Sequence, residues 1–483
     1  VPVDRVAATG AVRTVAPDEL FFSVTDRKGV ITAANSVFER LSRFARTDLI
    51  GAPHNVIRHP EMPGGAFRLM WDTLLAGRPF AAYVRNLAKD GASYDVFATV
   101  TPLGDGFLSV RSAPMAAPLR DAAFDLYAET LPRERACRAE GGSAARAAAA
   151  GAEDLAARLG TAGYASYEEF MFTALPAEVV SRVAASAPSA GREAPGAVGE
   201  VLAAALDVSA GLADALGRLD ALKELVDDLQ IASEGARITA GDLGAATSAA
   251  GRASSHVAGT APVLARTSAA MDRLAAELAG SLAGLAEALA TVRLTVMEQR
   301  FRIALARQHS DVVVAFADEV ISGGTTADDL AHVVPLCRAL QEDLDALTAS
   351  GERSARQLAA VRDEVEATRG RLEQFRTFLS TWRLQVPRYG VTQQLGPHVG
   401  PIDDLLARGH GRIAALRRLA EQCVAQAAPV DAAALVGPLW RLTDLVATLR
   451  TDTDTDAATH ADAATDADGA DPVRPVEPSE AAS

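Results

Sequence analysis

Cysteine is scarce in this 483-residue chain: three residues, Cys137, Cys337 and Cys423, lie far apart. They make no metal-type spacing, and one is left over from any pairing. A disulfide framework or metal site is therefore not expected, and a reduced interior is. Aromatic residues are few, at 5%, and alanine is abundant, a balance that favours helices over sheets. A basic excess is missing too. The net charge of −15 argues against a nucleic-acid groove, which needs a basic footprint, and against docking on an anionic membrane. No window of about 18 apolar residues is found, so no transmembrane span is expected. The nearest candidate, the short run from Val312 to Ala317, is closed by Asp311 and Asp318. The opening residues Val1-Pro-Val-Asp carry no signal-peptide arrangement, so a cytoplasmic protein is expected. Phosphate-loop, zinc-protease and serine-hydrolase signatures are all missing, so no catalysis is expected.

Against these absences stands one concentrated stretch, Gly51-Ala-Pro-His-Asn-Val-Ile-Arg-His-Pro-Glu-Met-Pro63. Its prolines forbid a helix or strand interior. It is a shaped loop that presents Arg58, His59 and Glu61. Around it the pattern alternates. Leu20 to Thr25 and Val30 to Ala34 read as a hairpin about Asp26-Arg-Lys-Gly29. Asn35 sits where a helix N-cap would sit, ahead of Phe38, Leu41 and Phe44 on one face. Ala66 to Leu75 is helical, with Phe67, Met70, Trp71 and Leu74 at helical spacing. Phe80 to Leu87, Ser93 to Leu103 and Phe107 to Arg111 then read as three strands. The expected design is α+β: a five-stranded antiparallel sheet with short helices on one face.

From about residue 19 to 114 the order and the residues resemble a PAS domain of the aerotaxis-receptor type. The resemblance rests on the proline loop, on Ala66-Phe67 and Met70-Trp71, and on Asn86, Lys89, Gly91 and Tyr94. It implies non-covalently bound FAD and a redox-sensing role. Carried over residue by residue, it implies a flavin site of Asn35, Arg58, His59, Glu61, Trp71, Asn86 and Tyr94. Phe80 stands where the family has a tryptophan, and could still stack. Glu61 replaces the usual Asp, and Asp95 replaces an aromatic. The residues also allow plainer roles: Trp71 as core, Asn35 as a cap only, Arg58 paired with Glu61, His59 fixing its own loop.

Residues 1–18 read as an N-terminal tail, 19–115 as the sensor domain, and 116–199 as an Ala-rich linker. Within the linker, 121–131, 153–159 and 167–186 read as short helices, 141–151 as loose chain and 187–199 as a break. Residues 200–450 read as a long-helix bundle or coiled coil. Leu212, Leu216, Leu219, Leu222, Val226 and Leu229 make one seam; Leu278, Leu282, Leu285, Leu289, Val292 and Val296 make a second. A third runs from Leu340 to Trp382, with Gly351, Ser354 and Thr368 filling places in its register, and a fourth from Leu435 to Leu449. Such spacing suits helices packed within one chain or between two, and a homodimer is expected. Gln230 to Ala240, with Glu234 and Arg237, resembles the hairpin tip of chemoreceptor signalling domains, which contacts a coupling protein and kinase. The turn and return helix beyond it do not match, so an ordinary Ala-rich helix is the preferred reading there. The acidic repeat 451–483 is expected to be disordered. Two functions follow: a soluble redox or oxygen sensor that relays through its helices to a partner, or a cofactor-free PAS dimerisation and docking module. A sensor of another small ligand would use the same pocket.

Overall fold

The computed structural model describes residues 6–185, 195–323, 334–427 and 435–448. Five strands form one antiparallel sheet: β1 (Leu20–Asp26), β2 (Ile31–Ala34), β3 (Phe80–Leu87), β4 (Ser93–Leu103) and β5 (Gly106–Ser112), in the order β2-β1-β5-β4-β3. The β1–β2 hairpin closes because the Asp26 carboxylate accepts the amides of Lys28 and Val30 at 2.8 and 2.9 Å. Gly29 takes φ 77° in that turn, a conformation that costs glycine little. Between β2 and β3 lie α1 (Ser36–Ser42), α2 (Arg46–Leu49), a 3-10 turn (His54–Ile57) and α3 (Gly64–Leu75).

Helices cover both faces of this sheet, where the sequence reading expected them on one. The strands alternate between two packed environments. Val84 and Asn86 of β3, Ala98 and Val100 of β4, and Phe107, Ser109 and Arg111 of β5 face the side that carries the 3-10 turn and α3. Tyr83, Phe97, Thr99 and Thr101 face the opposite side. There they meet α6 (Tyr167–Ala185) and α8 (Pro262–Ile321). Seven of seven β5 residues are buried, the mark of a strand covered on both sides.

Over the described residues 116–185, the segment expected to be an Ala-rich linker with short helices is mostly helix. After α4 (Ala117–Ala139), the stretch read as loose falls mostly inside α5 (Ala144–Thr161), capped by the Ser143 hydroxyl. Alanine carries the helix, and its glycine lets it dock. A Cβ on Gly65 of α3 would come within 2.4 Å of the Gly151 and Ala152 backbone. Glu134 of α4 accepts the amides of Gly64 and Gly65 at 2.8 and 2.7 Å. A carboxylate thereby satisfies the free N–H groups at the start of α3 and complements its dipole.

Beyond α6 come α7 (Ala197–His256), α8, α9 (Val334–Arg388) and α10 (Thr392–Gln426). Helix α7 packs on α8 and α10, and α9 packs on α8 and α10, so the four close into a bundle within one chain. The first two seams are buried throughout, as are the leucines, valines and aromatics of the third from Leu340 to Trp382, with Ser354 and Thr368 in its gaps and Ser350, not the half-buried Gly351, in the remaining one. Each fully buried Leu or Val contributes about 1.5–3 kcal/mol. The seams are thus used inside one chain, which removes them as a reason to expect a homodimer. The fourth seam is helical over 435–448; Leu449 and the acidic tail lie outside the described residues.

Residues 230–240 lie in the middle of α7, and the turn to α8 falls at 257–261, so the stretch is the ordinary Ala-rich helix preferred from its sequence and not a hairpin tip. Glu234 and Arg237 pair with each other on the exposed face, at 2.6 Å. Helix α8 contains an 18-residue window of mean hydropathy 1.3, long and apolar enough by composition to cross a membrane, and its seam residues Leu278 to Val296 are buried in the bundle. Small alanines between its seam leucines raise the average without lengthening any apolar run, which is why the sequence reading passed it over.

Candidate functional site

A cavity of about 440 Å³ lies between the sheet, the 3-10 turn and α3, a size that suits a compact organic ligand. Phe67, Met70, Trp71 and Leu74 of α3 form one wall, Val84, Ala98, Val100 and Phe107 of the sheet another. The Trp71 ring stands edge-on to Phe107, with centroids 5.4 Å apart, and touches the turn at Gly29. Few polar groups interrupt these walls, and their arrangement is specific.

Arg111, on β5, is only 4% exposed. It donates to the Ser23 hydroxyl at 3.2 Å and to His54 Nε2, and its guanidinium lies 5.4 Å from the Phe38 ring centre. No carboxylate among the described residues is within ion-pair distance of it. Burial lowers its pKa to about 10, so it stays a cation at neutral pH. Arginine has only donors, so His54 Nε2 must be a bare acceptor and the ring neutral. Consistently, burial, and then the Arg111 charge, hold the His54 pKa well below its ordinary value. Asn86 on β3 aims at the same space. Its side-chain Nδ2 is buried without a hydrogen-bond partner, and its backbone forms a bridge with Arg58. A buried donor left unmade costs about 1–3 kcal/mol. An unused amide donor and a cation without a carboxylate partner, set in apolar walls, are a binding site's polar groups.

Three of the residues expected at the site are brought together here: Arg58, Trp71 and Asn86. Arg58 donates to the Met62 carbonyl at 3.0 Å, with its guanidinium 4.1 Å from the Phe67 ring centre. The other five lie off the cavity. His59 borders an adjoining cleft, and its Nδ1 accepts the Glu61 amide at 3.2 Å, which fixes its own loop. Burial comes first among the causes that lower its pKa. Glu61 pairs with Arg85 at 3.0 Å, and Arg85 holds Asp95 at 2.8 Å across β3 and β4. Phe80 stacks flat on Tyr167 of α6 at 5.0 Å. Tyr94 is buried beside Phe21 in the layer under α1, at 6.5 Å. Asn35 occupies the N-cap position but makes no side-chain cap bond. Instead it accepts the Phe22 amide at 3.2 Å and donates to the Leu20 carbonyl at 3.3 Å, tying α1 to β1. The sequence reading passed over Arg111, His54 and Phe107. The usable signal was a lone charge in an otherwise uncharged strand.

The N-terminal region is 39% identical over 103 residues to the aerotaxis receptor of Escherichia coli (strain K12), covering 20% of each chain. It is a PAS domain of the aerotaxis-receptor type. The PAS domain is also similar to the nitrogen fixation regulatory protein of Klebsiella pneumoniae, 31% identical over 81 residues, which is 17% of this chain and 16% of that one. The chain thus spans about a fifth or less of the length of these relatives. Among solved structures, the PAS domain of a protein from Colwellia psychrerythraea matches at 23% identity over 20% of this chain and 85% of that one, with TM-score 0.18. A fungal LOV domain photoreceptor matches at 18% identity over 22% and 81%, also with TM-score 0.18. No protein-family model matches the chain.

Proposed function

We propose that this chain is a non-enzymatic signalling protein whose PAS domain binds FAD and senses redox state or oxygen. The observation that carries the reading is the cavity under Arg111, with the unpartnered Asn86 amide and aromatic walls at Trp71, Phe67 and Phe107. These residues fit an isoalloxazine ring. The ring offers flat apolar faces for the aromatics and carbonyl and ring-nitrogen acceptors for the Asn86 amide and Arg111. A flavin supplies reversible change of charge and protonation on reduction. Asn86 would orient it, Arg111 would favour negative charge beside it, and α3 would exclude water. The likeness to an aerotaxis receptor and to a regulatory protein supports signalling over catalysis.

The route outward is built into β4. Ala98 and Val100 line the cavity, while Thr99 donates to Gln308 of α8 at 2.9 Å and Thr101 meets His309 at 3.4 Å. His309 in turn faces Asp343 of α9 at 3.6 Å. A shift of β4 caused in the cavity therefore reaches α8 directly and α9 through His309. The bundle would carry it to a chemotaxis-type coupling or kinase partner in the cytoplasm. The test is hydrogen exchange along Gln299 to Asp311 of α8 in FAD-loaded protein, oxidised and then reduced. Changed protection there is expected; identical exchange in both states would refute the relay.

A further inference from the structure

Beside the cavity of about 440 Å³, on the far side of Arg58, lies a cleft of about 1120 Å³. Pro53, Asn55, Arg58, Phe67 and Trp71 border both, so the two adjoin across a shared wall. The cleft has different chemistry. Its far wall is α4 and the start of α5, which lie beyond the PAS domain. Among the described residues it is lined by four arginines, Arg58, Arg68, Arg135 and Arg138, and by one carboxylate, Glu134. Glu134 is committed to the Gly64 and Gly65 amides. Arg68 pairs with Asp72 at 2.8 Å. Arg138 donates to the Gly142 carbonyl at 2.9 Å. Among the described residues, no carboxylate is within ion-pair distance of Arg135 or Arg138. In a chain of net charge −15, a cleft with this excess of positive charge selects an anionic group.

Resting on the flavin reading, we infer that Arg135 and Arg138 of α4 form a subsite for the diphosphate of a dinucleotide whose ring system occupies the inner cavity. Guanidinium groups match phosphate oxygens two at a time. Arg58, which borders both spaces, puts a cation where ring and tail would join. The consequence is that helices outside the PAS domain help to select FAD over FMN or riboflavin, and that occupancy fixes α4 against α3.

The test titrates riboflavin, FMN and FAD into flavin-free full-length chain and follows the quenching of flavin fluorescence. Wild type is compared with an Arg135→Gln, Arg138→Gln double variant; both residues are exposed, so the fold should survive, and circular dichroism checks it. Wild type is expected to bind FAD about tenfold or more tighter than riboflavin, and the double variant to lose that advantage while riboflavin binding stays the same. FAD binding that is equal in both proteins, or no tighter than riboflavin, would overturn the subsite while leaving the flavin reading intact. If none of the three binds, the flavin reading itself fails and takes the subsite with it.

Discussion

Acidification should weaken the PAS domain through His54, and the size of the effect follows from the geometry. Arg111 points a donor at His54 Nε2, so protonating that nitrogen would set two donors and two positive charges against each other inside the site. The folded-state pKa is therefore depressed well below 6.5, chiefly by burial and then by Arg111. In the unfolded chain the ring titrates near 6.5. Between the two values the unfolded state binds more protons than the folded one, so stability rises with pH. The contribution is complete above pH 6.5 and is lost as pH falls through the folded value. The slope is at most about 1.4 kcal/mol per pH unit, so the ceiling between pH 6.5 and 5 is about 2 kcal/mol. His54→Gln offers Arg111 a carbonyl acceptor and removes the titration. Urea unfolding of the two proteins between pH 7 and 5 isolates the effect, since His59 and the carboxylates are common to both. Wild type should lose stability faster than the variant, by about 1–2 kcal/mol over that range. Parallel pH profiles would refute the neutral-imidazole assignment.

Two further predictions concern the packing around the domain. Glu134→Gln leaves one of the Gly64 and Gly65 amides facing an NH₂ group in place of a carboxylate oxygen, and should lower the urea midpoint by the equivalent of about 1–2 kcal/mol; an unchanged midpoint would remove Glu134 as the anchor of α4. At the sheet–bundle junction, Gln308→Leu alone leaves the buried Thr99 hydroxyl only the Val110 carbonyl, 3.5 Å away, and should cost about 1–2 kcal/mol, whereas adding Thr99→Val should recover most of it. Additive losses in that cycle would mean that the two groups are not coupled.

The strands were legible because turn residues bracket them. Phe80 to Leu87 and Ser93 to Leu103 are found at the bounds that Lys89-Asp-Gly91 and Gly104-Asp-Gly106 impose. The heptad leucines were legible for the same kind of reason, a spacing that only a helix turns into one face. What periodicity could not supply was the partner of each face. The second covering of the sheet depends on α6 and α8, which lie far along the chain, and an Ala- and Gly-rich stretch such as α5 reads equally as helix or loose chain until Gly65 is beside it. Family resemblance carried Arg58, Trp71 and Asn86 to the cavity. It also carried Asn35, Phe80 and Tyr94, which here serve β1, α6 and the layer under α1. Arg111 went unread because its neighbours make it look like the end of a strand; only the fold shows that it is buried with no carboxylate of the described residues beside it.

The absorption spectrum of the purified full-length protein tests the central claim most directly. The account predicts the paired near-ultraviolet and blue bands of an oxidised flavin, in the protein as isolated or after incubation with FAD and removal of excess. It predicts that Asn86→Ala and Arg111→Met, each folded by circular dichroism, lose them. A folded wild-type protein that stays colourless after incubation with FAD would contradict the account, and the PAS domain would then be a docking module on a helical bundle.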